Sequence, residues 1–174
     1  MVFVLIAIIA FSIGADQLTK YFIYGNDMPF IRGLIRFESV ENRGMVWGML
    51  NGVKGAMAVI TVFTAVVVIL MLFLLFKYRR SMTKLMAISF AFVIGGAIGN
   101  LIDRIALGFV RDFICTEFIS FPVFNVADAF VTCGAILLGV LLIFTKKGHA
   151  FYNSLFDGKE KKTAPAKEEE NGAE

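Results

Sequence analysis

The chain has 174 residues, 58% of them hydrophobic and only 18% charged, with a net charge of +3. A soluble domain carries about 25% charged residues, so the composition excludes an ordinary soluble domain and, being so apolar, a disordered chain as well. The small net charge gives no reason to expect a nucleic-acid partner. Two Cys and one His exclude a disulfide framework and argue against a His/Cys metal site.

Charge-free stretches mark the membrane spans in chain order. Residues 1–15 hold no charged side chain, and neither do 55–76, 85–102 or 129–145. With their flanks, these stretches reach the roughly 17–25 residues a helix needs to cross a bilayer. They predict four helices, near 2–22, 54–76, 84–103 and 126–145. The first reads as a span and not as a signal peptide cleaved at Ala15, because no basic segment precedes it and three further spans follow.

Orientation follows from Lys and Arg. The link between spans two and three carries Lys77, Arg79, Arg80 and Lys84 without an acid, and span four exits into Lys146 and Lys147. That side is expected to be cytoplasmic, with both termini on it. Segments 23–53 and 104–125 then face outward. Residues 1–148 form a single membrane domain in this reading. Residues 149–174, which from Asp157 onward lack an apolar face, form a disordered cytoplasmic tail that holds His149 at its start.

The alternation Ile35-Arg36-Phe37-Glu38 predicts a short strand in the first outward segment. Trp47 there, and Phe109, Phe113, Phe118, Phe121 and Phe124 in the second, fit either a surface at the lipid headgroups or ordinary packing. Gly95 and Gly99 read as a helix-packing pair. Cys115 and Cys133 are too far apart in the predicted layout to pair, and Cys133, two turns into span four, reads as a buried apolar thiol.

Polar residues near a membrane are costly, so their positions are informative. Asp16, Gln17, Thr19 and Lys20 end span one, Asn42, Arg43 and Gly44 lie in the first outward segment, and Asn100, Asp103 and Arg104 end span three. Arg111, Asp112 and Glu117 lie in the second outward segment, and Asn125 and Asp128 open span four. All of them fall near one plane, the outer one. The only His is on the other side, which leaves no Ser-His-Asp set, and hydroxyls are few. Carboxylates remain: Asp16, Asp103, Asp112 and Asp128, with amides and Arg104 beside them. Two neighbouring carboxyls that share a proton can activate water and polarise a carbonyl, the logic of aspartic proteolysis. A proton-coupled transporter or a non-catalytic four-span scaffold stays open on composition alone, although no carboxylate lies at the midplane of a span.

At these same residues the sequence resembles the lipoprotein signal peptidases, or signal peptidase II. Asp16-Gln17-Leu18-Thr19-Lys20 resembles the family's D-Q-x-[ST]-K, and Asn42-Arg43-Gly44-Met45-Val46-Trp47-Gly48 its N-x-G-A-A-[FW]. Gly95 to Arg104 matches G-G-A-x-G-N-x-x-D-R, Val110-Arg111-Asp112-Phe113 matches V-x-D-F, and Phe124 to Asp128 matches F-N-x-A-D. Five motifs in order, over residues 10 to 145, make the likeness specific. Met45 and Val46 stand where small residues are usual, and Arg111 stands where an apolar one is common. The link from Asp112 to Asp128 is short for the family.

The resemblance implies a bacterial inner-membrane aspartic endopeptidase. It cuts diacylglyceryl-modified prolipoproteins just before the lipidated Cys, with no metal or cofactor. It implies four transmembrane helices with a small outward-facing β-cradle and a short outer helix. The catalytic aspartates fall on Asp112, expected on an irregular segment, and on Asp128, at a helix start. The substrate-contacting residues fall on Asn42, Gly44, Asn100, Asp103, Arg104 and Asn125, with Asp16 and Lys20 in a structural or substrate-positioning motif. Within that set, Asn125 would orient Asp128, and Arg104 would hold a substrate carbonyl. Further implied are contact with membrane lipids, inhibition by cyclic peptides of the globomycin type, and a monomer.

Overall fold

The computed structural model describes residues 1–44 and 55–156. Trp47, Met45, Val46, Gly48 and the tail from Asp157 lie outside the described residues.

Four long helices appear at the predicted places: α1 (Val2–Ile23), α2 (Ala56–Tyr78), α3 (Lys84–Leu107) and α4 (Val126–Phe144). All four are long and apolar enough to cross a membrane. Three strands form an antiparallel sheet in the order β1 (Met28–Ile31), β2 (Ile35–Asn42), β3 (Val110–Thr116). The strand foreseen at 35–38 is the first half of β2. A further helix, α5 (Lys146–Phe156), follows α4. The expected boundary between a membrane domain and a disordered tail, at residue 148, therefore falls inside a helix. Among the described residues there is no short helix on the sheet side of the bundle.

Helix α3 is the hub. It packs against α1, α2 and α4, and 61% of its most apolar stretch is buried, against 11–17% for the other three helices. Glycine makes this possible. A Cβ on Gly95 would stand 2.6 Å from the Ser12 Cβ of α1, one on Gly96 would stand 2.4 Å from the Ala127 carbonyl of α4, and one on Gly134 would stand 2.9 Å from Val93 of α3. The small residues thus let the helix backbones approach closely, as association without a hydrophobic drive requires. Thr83 caps the start of α3 by accepting from the Met86 N–H. The other helices turn Phe3, Phe11, Phe63, Ile69, Phe73 and Ile143 outward, as lipid solvation allows.

The two ends of the bundle differ in chemistry. Near the α2–α3 turn the core is apolar: Leu5, Leu75, Met86, Phe90 and Ile94 form one cluster with Phe151 of α5. Phe151 meets Tyr78 and Phe90 edge-on. Helix α5 is therefore anchored through a ring that is 2% exposed, although the helix opens with Lys146, Lys147 and His149. At the opposite end, beside the sheet, the buried side chains include the polar Asp16, Lys20, Asn100, Asp103, Asp112 and Asn125.

The aromatic side chains of the second link divide between the two readings. Phe113 is buried and meets Phe37, whereas Phe118 and Phe121 are exposed. Cys133 is exposed, contrary to the buried thiol expected, because its face of α4 is turned to a cleft and not to α3.

Candidate active site

Strand β3 carries Asp112, so the irregular segment expected there is a strand. Its pairing with β2 positions the first amide. Phe37 lies opposite Ile114, yet Val40 lies opposite Asp112, so β2 contains one extra residue between Phe37 and Val40. In an unbroken register Glu41 would face Val110 and Asn42 would point to the other face of the sheet from Asp112. The bulge moves Asn42 onto the face of Asp112, where its Nδ2 donates to Asp112 Oδ2 at 2.9 Å. The Asn42 Oδ1 in turn accepts from the Gly44 N–H at 3.0 Å.

Asp128 comes from the first turn of α4. Asn125 is the N-cap: its Oδ1 accepts from the Asp128 N–H at 2.9 Å, and the Asp128 Oδ2 accepts from the Asn125 N–H at 3.1 Å. This reciprocal capping box starts the helix. The Asn125 Nδ2 donates to Asp112 Oδ1 at 2.6 Å and to Asn100 Oδ1 at 3.0 Å. Asn100, from α3, donates its own Nδ2 to Asp128 Oδ1 at 2.8 Å. One asparagine thus bridges the two carboxyls, and three asparagines supply their hydrogen bonds. An isolated bridge between Ile114 and Phe124 folds the connecting chain back and closes the loop.

Among the described residues no cation pairs with either Asp112 or Asp128 at salt-bridge distance. Asp112 is 2% exposed. Burial, and then the neighbouring charge of Asp128, push its carboxyl up to about 7. A carboxyl in that range can carry a proton at neutral pH and give it up. Both aspartates line a cavity of about 520 Å³ whose walls include Val40, Phe121, Phe124, Val131 and Cys133. Arg104 lies close enough to act electrostatically on Asp128 and Asp112. Its Nε is buried and has no hydrogen-bond partner among the described residues.

Asp16, Lys20 and Asp103 are placed differently from Asp112 and Asp128. They are 0–1% exposed and do not line the cavity. Lys20 Nζ lies 2.9 Å from Asp16 Oδ2 and 3.3 Å from Asp103 Oδ2, and it donates to Asn100 Oδ1 at 3.0 Å. Their carboxylates are occupied by one another's partners, so they reach the dyad through Asn100 and not through a ligand in the cleft. Asp16 Oδ1 also accepts from the Ala127 N–H at 2.9 Å. This approach needs Gly99, where a Cβ would stand 2.6 Å from Asp16 Oδ2.

Two residues of this network carried no assigned role in the sequence reading, Gln17 and Arg111. Gln17 donates to Asp16, Asp103 and the Gly99 carbonyl. Its place inside a motif of charged residues was the available signal. Among the described residues no group of three His, Cys, Asp or Glu side chains converges as a metal site would require.

A family profile described as Signal peptidase (SPase) II matches residues 8–144. The lipoprotein signal peptidase of Caldanaerobacter subterraneus is 44% identical over 145 residues, covering 80% of this chain and 95% of that protein. That of Enterococcus faecalis is 38% identical over 144 residues, covering 79% and 86%. A bacterial membrane enzyme solved by the in meso method at 1.9 Å resolution superposes with a TM-score of 0.72 at 30% identity, covering 84% of this chain and 96% of that one. With the profile spanning most of the chain, and with relatives matched over nearly their full lengths, the chain belongs to the signal peptidase II family.

Proposed function

We propose that this multi-pass membrane protease removes signal peptides from diacylglyceryl-modified prolipoproteins, cutting before the lipidated Cys, with Asp112 and Asp128 as its catalytic pair. The observation that carries this reading is the single asparagine, Asn125, that joins two carboxyls without an ion-pair partner among the described residues, at the wall of an apolar cleft. In the resting pair one carboxyl holds a proton. The ionised one takes a proton from water as the water attacks the scissile carbonyl, while the other donates to the carbonyl oxygen. The proton taken from water then passes to the leaving amine as the C–N bond breaks, and one hydroxyl of the gem-diol returns a proton to the other carboxyl. Asn42, Asn100 and Asn125 hold the carboxyls, and the unpartnered Nε of Arg104 supports a role on a substrate carbonyl. A globomycin-type cyclic peptide would occupy the same cleft, and a monomer with lipid around it contains every residue the mechanism uses.

Single-turnover cleavage of a diacylglyceryl prolipoprotein tests the assignment. Asp112→Asn and Asp128→Asn should each lower the rate at least a hundredfold, the lower end of what general acid–base groups contribute, while the folded variants still bind substrate. A variant that retains a tenth of the rate removes its aspartate from the pair.

The site is proposed to face outward from a bacterial cytoplasmic membrane, with both termini inside, because the link between α2 and α3 carries Lys77, Arg79, Arg80 and Lys84 without an acid, and α4 exits into Lys146 and Lys147 at the same end. A cysteine at Asp27 should react with an impermeant thiol reagent in intact cells, and one at Ser81 should not. The reverse labelling inverts the topology.

A further inference from the structure

Arg111 sits between the catalytic strand and the buried ionic cluster. Its backbone N–H donates to Asp103 Oδ2 at 3.0 Å, its Nε to the same oxygen at 3.2 Å, and its Nη2 to Asp103 Oδ1 at 2.8 Å. The Nη2 also donates to Gln17 Oε1 at 3.0 Å. Its carbonyl accepts from Asn125 Nδ2 at 3.3 Å, the same nitrogen that holds Asp112. One residue therefore ties β3 to α1, α3 and the N-cap of α4. The charges also balance: Asp16 and Asp103 are matched by Lys20 and Arg111. The three inner side chains are 0% exposed and that of Arg111 is 20% exposed. A fork-shaped, permanently charged guanidinium suits this two-oxygen grip better than an ammonium does.

We propose that Arg111 is a positioning residue of the catalytic pair: it neutralises the Asp16–Lys20–Asp103 cluster and locks β3 in the place where Asp112 meets Asn125. The proposal rests on the assignment of Asp112 and Asp128 above. Without Arg111 the cluster carries one uncompensated negative charge, with Asp103 held against the backbone of the residue that precedes Asp112. A negative charge there favours the protonated carboxyl and moves both limbs of the pair's pH profile upward. The other charged or titratable groups facing this strand are Asp16, Lys20 and Tyr24 from α1 and its end, Glu41 from β2, Asp103 and Arg104 from α3, and Asp128 from α4.

The experiment compares Arg111→Gln and Arg111→Lys with the unchanged full-length protein. Rates of prolipoprotein cleavage are measured from pH 5 to 9 in detergent, alongside thermal unfolding. Arg111→Gln should fold, lose about tenfold in kcat with KM little changed, and shift both limbs upward by about half to one pH unit, the scale of one charge at this range in a partly buried site. Arg111→Lys restores the charge without the fork, so its limbs should return to the original positions while part of the rate loss stays. The inference is overturned if the limbs stay put in Arg111→Gln, if the Lys variant behaves as the Gln variant does, or if Arg111→Gln fails to fold, which would make the residue a folding element. If the unchanged protein does not cleave the substrate, or Asp112→Asn stays active, the underlying assignment fails instead.

Discussion

Two pairs of carboxylates lie at the same end of the bundle, joined through Asn100, and they are treated in opposite ways. Asp16 and Asp103 are matched by Lys20 and Arg111 in ion pairs. Among the described residues, Asp112 and Asp128 receive amide donors alone, from the side chains of Asn42, Asn100 and Asn125 and from the backbone of Asn125. A cation beside a carboxylate occupies its oxygens and fixes it in place. Neutral amides orient a carboxyl and leave its proton exchangeable. The partner type, more than burial, separates the carboxylates held in ion pairs from the two proposed to react.

The comparison is broken most directly at the pair proposed to react. Asp112→Asn and Asp128→Asn should each lose at least a hundredfold in rate, and the double variant should be little worse than either single one, because paired groups act as a unit. Additive losses in single-turnover assays would mean that the two do not work together. At the cluster the effect should fall on stability. Asp103→Asn leaves Lys20 and Arg111 short of their shared carboxylate, and removal of one partner from a buried ion pair costs about 3–5 kcal/mol. Unfolding measured in detergent should show this, with cleavage by the surviving folded fraction reduced far less than in the dyad variants.

A smaller effect sharpens the contrast through pH. The Asp112 carboxyl stands at about 7 in the folded protein, above the value of about 3.9 for an unfolded chain. Between those values the folded state binds more protons than the unfolded state, so stability from this group falls as pH rises through the window and is level above it. Asp112→Asn removes that loss. Its stability relative to the unchanged protein should therefore improve by about 2–4 kcal/mol from pH 4 to pH 8, read as a difference in thermal unfolding between the two pH values. A difference that does not change with pH would mean that Asp112 carries no special burden. The smallest effect should come from the far end. Truncation after Phe156 should change cleavage less than about twofold, roughly 0.4 kcal/mol in barrier. Truncation after Gly148 also deletes Phe151 and should lower stability.

The helices were legible from the charge-free windows because a bilayer imposes length and apolarity on every span. The predicted ends agree with the observed ones to within a few residues, and the motif carbons at Asp112, Asp128 and the three asparagines do converge. Sequence could not show that Asp16, Lys20 and Asp103 face one another and not the cleft. Which side of a helix end looks into a cavity depends on how α1 and α3 approach, and that depends on Gly95 and Gly99 meeting specific atoms of α1. The bulge in β2 was equally silent, since Phe37 to Asn42 contains no Gly or Pro to announce it. Helix α5 was missed because 11 residues with two Lys and one His look like tail until Phe151 is seen in the core.

The capping box of α4 has a consequence for how such an enzyme wears out. Asp128 is at once the third residue of the helix, the acceptor that closes its first turn, and the proposed reacting carboxyl. Helix ends are in general the first parts to fray, and here the proposed chemistry sits at one. On warming, cleavage should be lost before the far-ultraviolet helical signal declines. A substrate or inhibitor seated against that turn would act as a splint, so occupancy of the cleft should delay inactivation more than it delays unfolding.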